Sequence, residues 1–373
     1  MDDNISALNE KYSSIVLPNT ILMSCGIVAG VFGNATIIII YIAHIDDKKG
    51  DRYFIPILAF IDCLGSISNG LFYVIDNFYI FSFPSEILCR VLLFVLTFAS
   101  GFSGHVLGAI ALQRYLLICH PYGKQLTLFR RRLAVIVITF ACIIYGTPLL
   151  IISGVEKSQK TFQNRTFSTN ICVFDVNPST LTIVYFGSFL LLTTANITVT
   201  SVLYILIMKT IYKTLYEDKK LRKNLMKNLQ HEKVSISGKD DIFNICIDHI
   251  DADEKTRKIS VGSNYSQTKR SEHRLNIRTK INVMFMTIVA FYVLSYIPSI
   301  VILILTYTLK DFYYLQLPES LLNVWIFFAR FLLLNHVVNP LIYGYFDVKL
   351  RSKVKRMCCF CTSNNRQQSS VVN

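Results

Sequence analysis

Seven stretches of this chain stay apolar for about twenty residues or more, and that repetition limits the available folds more than any motif does. They read as Pro18–Ala43, Tyr53–Asn77, Ile87–Ile118, Leu133–Gly154, Thr180–Ile211, Ile277–Leu309 and Pro318–Phe346. A helix crosses the roughly 30 Å hydrocarbon core of a bilayer in about 20 residues. Within lipid a segment must satisfy its own backbone hydrogen bonds, and unbroken apolar runs of this length do so as helices. Only 17% of the 373 residues are charged, against roughly 25% in soluble domains. A single soluble core could not hide these runs. The expected fold is an all-α membrane protein, a seven-transmembrane helix bundle.

The basic residues set the orientation. With the amino terminus outside, the outer segments hold Lys11, Lys157, Lys160, Arg165 and Lys310, while Arg90 and Arg330 fall within or at the ends of helices. Every other lysine and arginine then lies on the cytoplasmic side, as the positive-inside rule requires. The short clusters Lys48-Lys49-Arg52, Arg130-Arg131-Arg132 and Lys349–Arg356 carry most weight, because long loops count for little. A net charge of +14 distributed this way argues for a bilayer and against nucleic acid. Met1-Asp2-Asp3 lacks the basic start of a signal peptide, so the first span is expected to be an uncleaved anchor. The chain divides into an extracellular N-terminal tail (1–17), the helix domain (18–346), and a cytoplasmic end (347–373). The loop 212–276 is polar, with its middle expected to be disordered and its ends to prolong the fifth and sixth helices. Asp51-Arg52-Tyr53 precedes the second helix and reads as a juxtamembrane charge cluster.

The third segment carries a cysteine and an arginine 25 residues apart, about 37 Å of helix. One helix can hold Cys89 at one membrane face and Arg114 at the other. Alone, Arg114 reads either as a snorkelling charge or as part of an opening between helices that admits a cytoplasmic partner. Polar residues within the spans are more telling, because they are costly there. Asp62 lies about 13 Å into the second span and Ser103 about 16 Å from Arg114 along helical rise. Asn34, Asn335 and Asn339 fall at comparable depth. The five would share one layer, either as a hydrogen-bond network between helices or as an oxygen-lined site for Na⁺ charged by Asp62.

Arg114-Tyr115 with Pro121, Gly33-Asn34, Leu58-Ala59-Phe60-Ile61-Asp62, Ser103, Tyr292–Pro298 and the Asn-Pro-x-x-Tyr of Asn339–Tyr343 occur in one order. Together they resemble the rhodopsin-like (class A) G protein-coupled receptors, most of all the peptide-receptor branch. The resemblance implies a plasma-membrane receptor, not an enzyme, that binds an extracellular ligand and activates a heterotrimeric G protein. Receptor kinase and arrestin are further implied partners. The implied switch residues are Gln113, Arg114, Tyr115, Tyr204, Tyr292, Tyr296, Pro298, Asn339, Pro340 and Tyr343. Asp62, Ser103, Asn335 and Asn339 would hold an allosteric Na⁺, with no other cofactor. Several positions depart from the family pattern: Gln113 replaces an acid, His336 a small hydroxylated residue, Tyr296 a tryptophan and Asn196 a proline. The last suggests a straighter fifth helix.

Cys89 and Cys172 are the two cysteines expected at the oxidising face, which favours a disulfide; the resemblance implies that it ties the second outer loop to the third helix. Asn4 and Asn164 stand in outer glycosylation sequons. Cys358, Cys359 and Cys361 follow a basic stretch and are candidates for palmitoylation. Residues 347–360 alternate apolar and basic positions, as in a short amphipathic eighth helix on the inner leaflet. Leu96 stands where amine-binding relatives carry an aspartate, which disfavours monoamines. The loop Thr161–Cys172 could form a hairpin like those of peptide receptors. A neuropeptide or peptide hormone is therefore the expected ligand, with Asp76, Arg90, Thr97, Ser100, Tyr307 and Arg330 as candidate contacts. A lipid or other small non-amine ligand is the alternative, and a transporter or channel is the rival class. Gln113 cannot form the usual ion pair with Arg114, and Arg278 stands where some relatives keep a second acid. Appreciable signalling without ligand is the expectation.

Overall fold

The computed structural model describes residues 2–43, 52–162, 165–177, 179–237, 279–302, 304–305 and 317–356. The elements are α1 (Asp2–Ile15), α2 (Leu17–Ala43), α3 (Phe54–Phe78), α4 (Glu86–Cys119), α5 (Leu128–Gly146) and α6 (Leu149–Ile152). A hairpin of β1 (Gly154–Phe162) and β2 (Arg165–Val173) precedes α7 (Thr180–Ser237). Then come α8 (Thr279–Ile302), α9 (Glu319–Ala329), α10 (Leu333–Phe346) and α11 (residues 348–356). Among the described residues, six helices are long and apolar enough to cross a membrane, counting α5 and α6 as one, and α9 with α10 makes a bent seventh.

The packing inverts that of a soluble protein. Phe32, Ile42, Phe140, Ile144 and Leu191 are exposed, while Asp62, Asn69 and His336 are fully buried. Such an apolar exterior suits lipid rather than water. Between the helices, Leu58, Leu107, Ile110, Phe285, Tyr292 and Tyr343 belong to one continuous core.

Local sequence explains several boundaries. Ser85 caps α4 by accepting from Leu88 N–H, and Thr127 caps α5 by accepting from Arg130 N–H, as short hydroxylated side chains do at helix starts. The fourth span thus begins at Leu128, ahead of the expected Leu133, because arginines at a membrane edge can extend their charge into water. The fifth helix runs without a break past Asn196 to Ser237, and so extends into the following loop.

Two expectations need correction. Residues 1–17 are no simple tail: Leu8 of α1, and Val16 just beyond its end, pack in one cluster with Ile80, Phe81, Leu322 and Ile326. Asn9 fixes it by donating to Ser82 Oγ (2.6 Å) and accepting from Phe81 N–H (2.9 Å). Burial raises the pKa of the Tyr12 phenol, which stands edge-on to Phe81. The segment Pro318–Phe346 is not one helix either. It bends by 64° between α9 and α10, and across the bend the N–H groups of Leu333, Leu334 and Asn335 donate three residues back. This tight 3₁₀-type winding coincides with Arg330, whose guanidinium turns toward α3.

Candidate functional site

The site is a polar axis running through the apolar core, and Asp62 is its hub. Asp62 Oδ1 accepts from Ser103 Oγ (2.9 Å) and lies 2.9 Å from His336 Nδ1; Oδ2 accepts from Asn339 Nδ2 (2.6 Å). Asn335 Nδ2 donates to Ser103 Oγ (3.3 Å), and Asn34 Nδ2 donates to the His336 carbonyl (2.9 Å). The five polar residues expected in one layer are thus gathered there. An ionised carboxylate only accepts, so His336 Nδ1 carries a proton toward it; in a neutral ring Nε2 then accepts. That nitrogen lies 3.3 Å from Ser100 Oγ.

The arrangement does not fit a sodium ion. A hard cation needs converging oxygen lone pairs, whereas three N–H or O–H donors are aimed at this carboxylate. The imidazole also fills the adjoining space, since a Cβ added at Gly65 would lie 2.6 Å from its ring.

From His336 the axis continues to the sixth span. Tyr296 O–H donates to the Ser100 carbonyl (2.7 Å), and its ring lies 4.7 Å from that of Tyr292. Asn196 Nδ2 donates to Tyr292 Oη (2.8 Å) and to the Gly104 carbonyl (3.1 Å). Gly104 is required for this approach: a Cβ there would meet Tyr292 Oη at 2.9 Å. The fifth, third and sixth spans are joined by hydrogen bonds at the point where the sequence lacks proline. Pro298 lies further along α8, and Pro340 within α10 removes a backbone donor.

At the other end of the third span, Arg114 is buried at 4% exposure. Its guanidinium carbon lies 4.6 Å from the centre of the Phe285 ring. The hydroxyls of Tyr204 and Tyr343 are buried near it without a hydrogen-bond partner among the described residues. Gln113 is buried on the same helix end, and Tyr115 Oη lies 3.1 Å from His120 Nε2. Arg278 is outside the described residues. Arg52, read as part of a juxtamembrane charge cluster, is buried and pairs with Asp347 Oδ1 (3.3 Å), whose Oδ2 accepts from Tyr41 O–H (2.6 Å). Asp347 also accepts from the Lys349 and Leu350 N–H groups and so caps α11.

The opposite end is built around a disulfide. Cys89 is bonded to Cys172, which ties β2 to the start of α4. The antiparallel hairpin pairs Gly154 with Val173 through Phe162 with Arg165, and Asn170 exchanges backbone hydrogen bonds with Phe81 and Phe83. The candidate ligand contacts are distributed over three places. Asp76 Oδ2 accepts from Arg330 (2.6 Å), which also donates to Asn77 and faces the Tyr73 ring at 5.2 Å. Arg90 pairs with Glu86 (2.6 Å) and lines a cleft of ≈ 380 Å³ with Ile152, Val176 and Thr182. Ser100 belongs to the central axis, with Thr97 buried one turn away. Tyr307, Asn164, Cys358, Cys359 and Cys361 lie outside the described residues, and Asn4 falls within α1.

Three contacts were not foreseen from the sequence. Phe285 has no chemical mark among apolar neighbours, and only its spacing of seven residues from Tyr292 places it on the same helix face. The Arg52–Asp347 pair joins residues far apart in sequence. His336 carried a signal in principle, as a titratable group in a span that also places Asn335 and Asn339 beside Asp62.

Residues 33–343 match the sequence profile of the seven-transmembrane receptors of the rhodopsin family. Over 180 residues the chain is 30% identical to the trissin receptor of Drosophila melanogaster, covering 46% of this chain and 26% of that protein. It is 28% identical over 163 residues to the neuromedin U receptor homolog nmur-2 of Caenorhabditis elegans, covering 41% and 40%. It is 29% identical over 126 residues to the neuropeptide Y receptor type 4 of Mus musculus, covering 33% of each. The matched stretches span about a quarter to two fifths of these relatives' own lengths. Squid rhodopsin has the same fold, with a TM-score of 0.63 at 15% identity over 95% of this chain and 87% of that one.

Proposed function

Because the chain belongs to the rhodopsin family of seven-transmembrane receptors, we propose that it is a plasma-membrane receptor for an extracellular peptide. Its amino terminus would face outward, and it would activate a heterotrimeric G protein. The observation that carries this reading is Arg114, held among Phe285, Tyr204 and Tyr343 at the end opposite the disulfide. A ligand shifts a receptor only by binding its two states unequally. In the shifted state the sixth span moves away from the third, Arg114 leaves the Phe285 ring, and Tyr204 and Tyr343 re-form contacts around it. The opened groove takes the carboxyl-terminal helix of the G protein, as amphipathic helices dock in apolar grooves.

The peptide assignment is supported by what the relatives are named for and by the hairpin held over the bundle. Leu96, buried where a monoamine would need a carboxylate, supports it further. Receptor kinase and arrestin would act on the cytoplasmic loop and tail. Sodium at Asp62 is left out of this reading because the donors present do not suit it. The test is nucleotide exchange on a purified heterotrimeric G protein with the receptor in lipid nanodiscs, screened against secreted peptides. Exchange that no peptide accelerates and that Arg114→Ala leaves unchanged would reject the reading.

A further inference from the structure

We propose that the His336 imidazole is the resident counter-group of Asp62 and holds the place a sodium ion would take. The resting state of this receptor then neither needs nor senses Na⁺. Both oxygens of the carboxylate are already engaged, Oδ1 by Ser103 and His336 and Oδ2 by Asn339. Asp62 and His336 are 0% exposed, so neither has bulk water as a substitute partner. An incoming cation would have to displace the ring, because Gly65 already gives up its Cβ space to it. Displacement would also break the Ser100 contact at Nε2. A buried polar group left without a partner disfavours that displacement.

Among the described residues, the polar groups around Asp62 and His336 are Asn34 on α2, Ser100 and Ser103 on α4, Tyr296 on α8, and Asn335, Asn339 and Tyr343 on α10. No lysine or arginine is among them. A small oxygen-bearing side chain at 336 would vacate the ring's volume and add an acceptor, while both amides could turn their oxygens inward.

The experiment is thermal unfolding of the purified full chain in nanodiscs, in sodium, potassium and choline chloride series of matched ionic strength. A ligand that binds only the folded state raises the midpoint in proportion to RT ln(1 + [L]/Kd). Wild type is expected to show the same midpoint in all three salts. His336→Ser is expected to gain a rise in sodium alone, which Asp62→Asn added to it removes. A sodium-specific rise in wild type overturns the proposal, and so does a folded His336→Ser with no sodium response. Should that variant not fold, His336→Asn replaces it, and the wild-type series decides by itself. The readout needs no ligand or G protein, so failure here leaves the receptor reading standing.

Discussion

The guanidinium of Arg114 lies over the face of Phe285, 4.6 Å from ring centre to guanidinium carbon. This contact joins the third span to the sixth. A cation over an aromatic face in a desolvated site is held by about 1–2 kcal/mol.

Phe285→Leu keeps apolar volume and removes the ring. It is expected to raise ligand-free nucleotide exchange about five- to thirtyfold, the factor that 1–2 kcal/mol represents. Phe285→Trp retains a π-face and should leave exchange near the wild-type rate. Both are compared at matched receptor amounts, and an inactive Phe285→Leu of normal stability would contradict the restraint.

Gln113→Glu restores an acid beside Arg114 and is expected to lower basal exchange about two- to fivefold, the range of a modest ion pair. In an Arg114→Ala background the same substitution should do nothing. Equal effects in both backgrounds would show that the glutamate acts elsewhere.

Arg330→Gln strands the Asp76 carboxylate, whose side chain is 19% exposed. Breaking one side of a buried pair costs about 3–5 kcal/mol, whereas removing both sides is often far milder. The Asp76→Asn/Arg330→Gln double variant should therefore unfold at a higher temperature than Arg330→Gln alone. The reverse order would mean that the pair does not hold α3 to the bend between α9 and α10.

Asp347→Asn removes the ion pair with Arg52 and weakens the cap on α11. Amide hydrogen exchange over 348–356 should accelerate about five- to tenfold, from the ~1 kcal/mol typical of a cap. Exchange in α4 should not change, whereas the first turn of α3, next to Arg52, should also accelerate. A uniform acceleration would point to global destabilisation instead.

Much of this was legible in the chain itself. Apolar runs long enough to span lipid can hardly do anything else, so the number and order of the crossings followed from composition along the sequence. The layer of Asn34, Asp62, Ser103, Asn335 and Asn339 was readable for a related reason: depth in a membrane is proportional to residue count along a helix. β-Branched and aromatic residues around a polar middle mark Thr161–Cys172 as a hairpin, whose first strand in fact reaches back to Gly154; the Cys89–Cys172 bond followed from which cysteines shared a face.

Sequence could not say which member of that layer meets which, because depth fixes height along a helix but leaves rotation about its axis to packing. Only the folded bundle put His336 on Asp62 rather than beside it, turned Arg330 toward Asp76 through a 64° bend, and laid Arg114 on Phe285. Residues 1–17 show the same division. Alone they read as an extracellular tail, and what gives α1 its seat is the apolar surface of Ile80, Phe81, Leu322 and Ile326, which exists only once two distant spans have come together.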